Sequence, residues 1–91
     1  MPHLHLLISG MVTGVWFRDF VVQNARKIGV AGWVKNTNDE KVETVIEGKE
    51  ENVEKMLGFC QEGPAGSWVK EVKILERKKI DKPQDGFNII F

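Results

Sequence analysis

The sequence predicts an α+β fold, with an antiparallel sheet carrying two helices on one face. Three observations predict it: apolar residues alternate with period two in several short stretches, recur with helical spacing in two longer ones, and glycine punctuates the joints. No linker, repeat or low-complexity block interrupts the 91 residues, so residues 1–91 are expected to form one domain.

His3 to Ser9 alternates, with Leu4, Leu6 and Ile8 on one side and His3, His5 and Leu7 on the other. That is a strand. After Gly10-Met11-Val12-Thr13-Gly14 the period changes. Phe17, Phe20, Val21, Ala25 and Ile28 share one helical stripe, and Gly29 follows the basic last turn, where a left-handed cap belongs. Val30 to Thr37 reads as a second strand and Lys41 to Glu47 as a third, joined by turn residues Asn38 and Asp39. Glu50, Glu51 and Glu54 crowd the start of a second helix, where the macrodipole favours negative charge. Its stripe is Val53, Met56, Leu57 and Cys60, and Gly63-Pro64 stops it. Trp68 to Leu75 is a strand, Lys78 to Asp85 a polar excursion that reads as either a hairpin arm or a loop, and Phe87 to Phe91 a last short strand. The order is β-α-β-β-α-β plus a C-terminal strand, the split βαβ or ferredoxin-like arrangement. That arrangement hosts many functions, so function has to come from a site.

Composition narrows the classes. Lys and Arg number 13 against 13 Asp and Glu, for zero net charge. No broad cationic field for nucleic acid is expected, and anion binding has to be local. Cys60 is the single cysteine, so no intramolecular disulfide, CxxC pair or cysteine-based metal cluster forms. No apolar run reaches the ~20 residues of a membrane span. The N-terminus has neither the basic region nor the cleavage site of a signal peptide, so Met1 is expected to be the true start and the cytoplasm the compartment.

The chemistry-bearing segment is Gly10 to Arg18, GMVTGVWFR. Two glycines ahead of a helix allow successive backbone N–H groups to turn inward as an anion nest. The helix end adds unpaired N–H groups and a positive dipole. Arg18 is unfavourable there for the helix alone, but a bound phosphate reverses the sign and accepts bidentate bonds. On spacing alone the segment reads either as an oxyanion site or as a glycine turn with a solvated arginine. In Gly32-Trp33-Val34-Lys35-Asn36, Asn36 is either a turn residue or an amide that orients a water or a substrate oxygen.

Together these segments resemble the acylphosphatase family. The first family signature, Gly-x-Val-Gln-Gly-Val-x-Phe-Arg, is similar to Gly10, Val12, Gly14, Val15, Phe17 and Arg18. The second, Gly-aromatic-x-(Lys/Arg)-Asn before a strand and a glycine, is similar to Gly32, Trp33, Lys35, Asn36, Val42 and Gly48. Gly63-Pro64 with Val69 and Val72, and Gly86, Phe87 and Ile89, extend the likeness over nearly the whole chain. The resemblance implies hydrolysis of acyl phosphates to carboxylate and inorganic phosphate, without metal or cofactor. It implies that Arg18 and the backbone N–H groups of Val12, Thr13, Gly14, Val15, Trp16 and Phe17 hold the phosphoryl group, and that Asn36 orients the attacking water. The expected partners are the acyl phosphate and its phosphate product, with no nucleic acid and no membrane, for a monomer.

Two residues depart from the family pattern. Thr13 replaces a usual Gln, and Glu40 replaces a usual Gly in the hairpin turn. Since Glu is strained at positive φ, Asn38 or Asp39 is expected to take that position. Trp16 is either a partner for the acyl group or a partly exposed packing residue.

Other candidates carry less. His3 and His5 could chelate a metal at i, i+2, but no third ligand is apparent, and a solvated edge is expected. Cys60 is expected to be an inert core thiol. Arg77, Lys78 and Lys79, balanced by Glu71, Glu76 and Asp81, read as solvated surface. Three alternatives stand beside hydrolysis. One is a non-catalytic acyl or carbamoyl phosphate binder, as in hydrogenase-maturation carbamoyltransferases, which are longer and carry cysteine-rich zinc segments. The second is an RNA-recognition module, disfavoured by Glu43 and Glu47 where stacking aromatics belong. The third is a metal carrier, disfavoured by the lone cysteine.

Overall fold

A computed structural model describes residues 1–91. The elements are β1 (Pro2–Met11), α1 (Phe17–Ile28), β2 (Ala31–Asn36), β3 (Val42–Glu47), α2 (Glu50–Glu62), β4 (Trp68–Lys79) and β5 (Phe87–Ile89). They form one five-stranded sheet in the order β4-β1-β3-β2-β5. Strands β4, β1, β3 and β2 are antiparallel neighbours, as expected for this fold class, and β5 adds a parallel pair with β2.

Alternation in β1 sets the layers. Leu4, Leu6 and Ile8 are fully buried and stand opposite Ile46, Thr44 and Val42 of β3. The helices cover this face. Phe17, Val21, Val22 and Ala25 of α1 and Val53, Met56 and Cys60 of α2 join those strand residues in one core. The buried Thr44 is satisfied, since its Oγ1 donates to the Trp33 carbonyl at 2.7 Å. Helix α1 ends at Gly29, φ 97°, whose N–H donates to the Ala25 carbonyl at 2.8 Å. The accessible surface is 5548 Å², against roughly 5,400 Å² expected from scaling for this mass. No helix is long and apolar enough to cross a membrane.

Three sequence expectations need correction. Strand β4 runs on to Lys79, so the polar excursion begins after it. Its register against β1 continues through His5–Glu76, Leu4–Arg77, His3–Lys78 and Pro2–Lys79. An edge strand needs no apolar stripe, and register shifts at His5/Leu6 and Ser9/Gly10 break the phase of any alternation. Its second edge is open, and most of its side chains are exposed.

The histidines are not at an edge. Strand β1 is flanked by β3 and β4, and each histidine faces a glutamate on the helix-free side of the sheet. His3 Nδ1 is 2.5 Å from Glu47 Oε2, and His5 Nε2 is 2.5 Å from Glu43 Oε2. Glu47 also accepts from the Gln84 backbone N–H at 2.9 Å. Burial pushes its carboxyl up, but the Gln84 amide and the His3 ring outweigh that and hold it below the ordinary value.

Glu40 itself takes the left-handed conformation, with φ 63°, and neither Asn38 nor Asp39 does. Register decides this. Thr37 N–H donates to the Lys41 carbonyl at 2.8 Å, and Glu40 N–H to the Thr37 carbonyl at 3.3 Å. That is a three-residue hairpin loop, whose last position must be left-handed whichever residue fills it.

Candidate active site

The site starts where β1 leaves the sheet. A Cβ on Gly10 would collide with the Trp68 carbonyl of β4, so only glycine lets the strand run this close to its neighbour. Four residues on, Gly14 turns the chain at φ 70° in open space. Val12 and Phe17, each 1% exposed, fasten the two ends of the intervening loop into the core.

Trp16 is the N-cap of α1 and is left-handed, with φ 62° and ψ 24°. Its side chain makes no capping bond. A bulky residue in that region is an outlier whose strain of about 1–3 kcal/mol is characteristic of functional loops. The first N–H of this segment to meet a backbone acceptor is that of Phe20, which donates to the Trp16 carbonyl at 3.0 Å. No N–H from Val12 to Asp19 finds a backbone acceptor. The loop and first turn thus present a run of free donors at the positive end of the helix.

Arg18 sits at that end, half-buried, and no carboxylate of the chain pairs with it. Its Cζ lies 5.5 Å from the ring centroid of Phe91. Asp19, next to it, is the carboxylate the first turn favours.

Asn36 closes β2. It stands opposite Val42 on β3, and so on the helix-covered side of the sheet. Thr37, immediately after it, is held in the hairpin loop: its Oγ1 accepts from the Lys41 N–H at 3.0 Å and donates to Asp39 Oδ1 at 2.5 Å. The Thr37 hydroxyl holds the Asp39 carboxyl below its ordinary value.

A cavity of about 280 Å³ gathers these pieces. Of the residues expected from the sequence, Val12, Gly14, Trp16, Phe17, Arg18 and Asn36 line it. Thr13 and Val15 do not: both are half-buried, and Val15 packs against the core. Asp19, Ile89 and Phe91 complete the lining and were not singled out as site residues from the sequence. Asp19 had a readable signal, one position after Arg18. Ile89 and Phe91 reach the cavity only because β5 pairs with β2, a parallel register that no local pattern announces.

Chemically, the arrangement offers an unpaired guanidinium, free N–H donors at a helix end and a neutral amide across one cavity. It suits a small oxyanion with a further polar group poised beside it.

Comparison with known proteins accords with that chemistry. The family model described as Acylphosphatase matches residues 4–89. The chain is 41% identical to the acylphosphatase of Roseiflexus sp. (strain RS-1) over 91 residues, covering 100% of this chain and 97% of that one. To the acylphosphatase of Thermococcus kodakarensis it is 42% identical over 88 residues, covering 94% and 92%. The crystal structure of acylphosphatase from Bacillus subtilis superposes with a TM-score of 0.94 at 31% identity, covering 100% of each chain. A fold of this kind and matches of this length lead to one conclusion: the chain belongs to the acylphosphatase family and is an enzyme of acyl phosphate hydrolysis.

Proposed function

We propose that Arg18 and the free N–H groups of the Val12 to Phe17 loop hold the phosphoryl group, and that Asn36 orients the attacking water. The observation that carries this reading is the meeting of Arg18, Asn36 and the loop residues Val12, Gly14, Trp16 and Phe17, whose N–H groups are unpaired, at one cavity. Water attacks phosphorus, the bond from phosphorus to the acyl oxygen breaks, and the carboxylate leaves with that bond's electron pair. The water's proton passes to an oxygen of the phosphate itself. No base is needed on the protein, because the carboxylate is a good leaving group and the work is positioning and charge stabilisation. Nor is a metal needed: Arg18 and the helix end supply the positive charge. The same reading takes the chain as a cytoplasmic monomer; the lone, buried Cys60 accords with a reducing compartment.

Benzoyl phosphate hydrolysis in the presence of EDTA tests it. Wild type is expected to turn over rapidly. Arg18→Ala loses both phosphate affinity and turnover, the latter by about 10³-fold or more. Asn36→Ala loses turnover by about 10²–10³-fold with phosphate affinity little changed. Inorganic phosphate raises the melting temperature of wild type, since it binds only the folded chain. A wild type no faster than buffer, or an Asn36→Ala rate near wild type, overturns the corresponding role.

A further inference from the structure

The phosphoryl cradle accounts for only part of the cavity. Its remaining lining is Asp19 and three apolar residues, Trp16, Ile89 and Phe91. Trp16 is 80% and Phe91 99% exposed, more than any other large apolar side chain of the molecule. Both line the same cavity, although they come from opposite ends of the chain. Trp16 is therefore not a packing residue. Its left-handed backbone turns an indole outward with no core contact to offset the strain.

Phe91 is also not a loose tail. Strand β5 pairs with β2 through Val34–Ile89, and Ile90 N–H donates to the Val34 carbonyl at 2.8 Å. The backbone is bonded to within one residue of the ring, two positions along β2 from Asn36. Arg18 Cζ lies 5.5 Å from the centroid of that ring, within cation–π range.

We propose that Trp16 and Phe91 form the acyl-group site of this enzyme, one that selects acyl phosphates with a flat aromatic acyl group over those with a small one. This rests on the cavity being the acyl phosphate site. With the phosphoryl group held by the loop and Arg18, the acyl group lies on the side of the cavity formed by the Trp16, Ile89 and Phe91 side chains. A planar acyl group finds two aromatic surfaces there, and an acetyl group touches little of either. Discrimination comes from a stacking surface that neither the guanidinium nor the backbone donors provide.

The test compares benzoyl phosphate with acetyl phosphate for wild type, Trp16→Ala, Phe91→Ala and Phe91→Tyr. In parallel, affinities are measured for benzylphosphonate and methylphosphonate, which are not hydrolysed. Each alanine variant is expected to lower the benzoyl-to-acetyl ratio of kcat/KM about five- to tenfold, mainly through the KM for benzoyl phosphate. The phosphonate affinity ratio falls in step, and Phe91→Tyr restores both. Since both side chains are exposed, neither truncation leaves a core cavity. If both alanine variants keep the wild-type ratios while hydrolysis proceeds, the acyl site is refuted and the hydrolytic reading stands. If wild type hydrolyses neither compound but its phosphonate discrimination is lost in the variants, hydrolysis is refuted and the acyl site stands. A loss confined to one variant overturns the pairing of the two residues.

Discussion

Val12 and Phe17 bracket the loop that carries Gly14 and Trp16, and both side chains enter the same buried cluster. The loop is strained between two fixed points, so its conformation depends on the core beneath it. Phe17→Ala is expected to lower stability by about 3–5 kcal/mol. Urea unfolding measures this, and phosphate affinity should fall in the fraction that remains folded.

Glu40→Gly is expected to stabilise the chain. Glu40 holds φ 63° because the hairpin register requires it, not because glutamate favours it. Glycine removes a left-handed strain of about 1–2 kcal/mol and returns part of that as backbone entropy in the unfolded state. The net gain is about 1 kcal/mol, a rise of about 4–8 °C in Tm for a chain of this size.

Acid should loosen the helix-free face. Glu47 has its pKa lowered in the folded state, so its contribution is fully present above its ordinary value of 4.5. That contribution is lost as pH falls below 4.5 and through the lowered folded value. Stability measured from pH 6 downwards should show this slope in wild type. The slope should be shallower in Glu47→Gln, which no longer binds or releases that proton.

Cys60 should be silent towards thiol reagents in the native enzyme. The residue is fully buried, and burial pushes its thiol up to about 12. Labelling with a disulfide reagent at pH 8 is expected only as the chain unfolds, with a denaturant midpoint that coincides with the spectroscopic one.

Much of the fold was legible because the two periods are clean where one face is buried. Leu4, Leu6 and Ile8 show the alternation, and Phe17, Val21 and Ala25 the helical stripe. The glycines of the loop and the position of Arg18 were legible for a different reason, since a cradle needs those residue types at that spacing. What escaped were relations between distant segments. The end of β4 carries no apolar signal, because an edge strand is held by its backbone. Neither His3 nor His5 announces Glu47 or Glu43, which arrive through the β1–β3 register. Phe91 reaches Arg18 only by way of a parallel strand pair. Glu40 was misread because residue preference was weighed above hairpin geometry, and the geometry prevailed.

The open edge of β4 bears on how copies of the chain behave in concentrated solution. A 12-residue strand with one unpaired row of N–H and C=O groups is a template for a second chain. Net charge is zero, so no overall repulsion holds molecules apart. Protection has to be local, and it lies along the strand itself: Lys70, Glu71, Lys73, Glu76, Arg77, Lys78 and Lys79 leave no long apolar stretch to zip against. Protection against edge-to-edge pairing is therefore carried by the side chains of this strand. Replacing Lys70, Lys73, Lys78 and Lys79 by apolar residues would strip most of that protection from the edge.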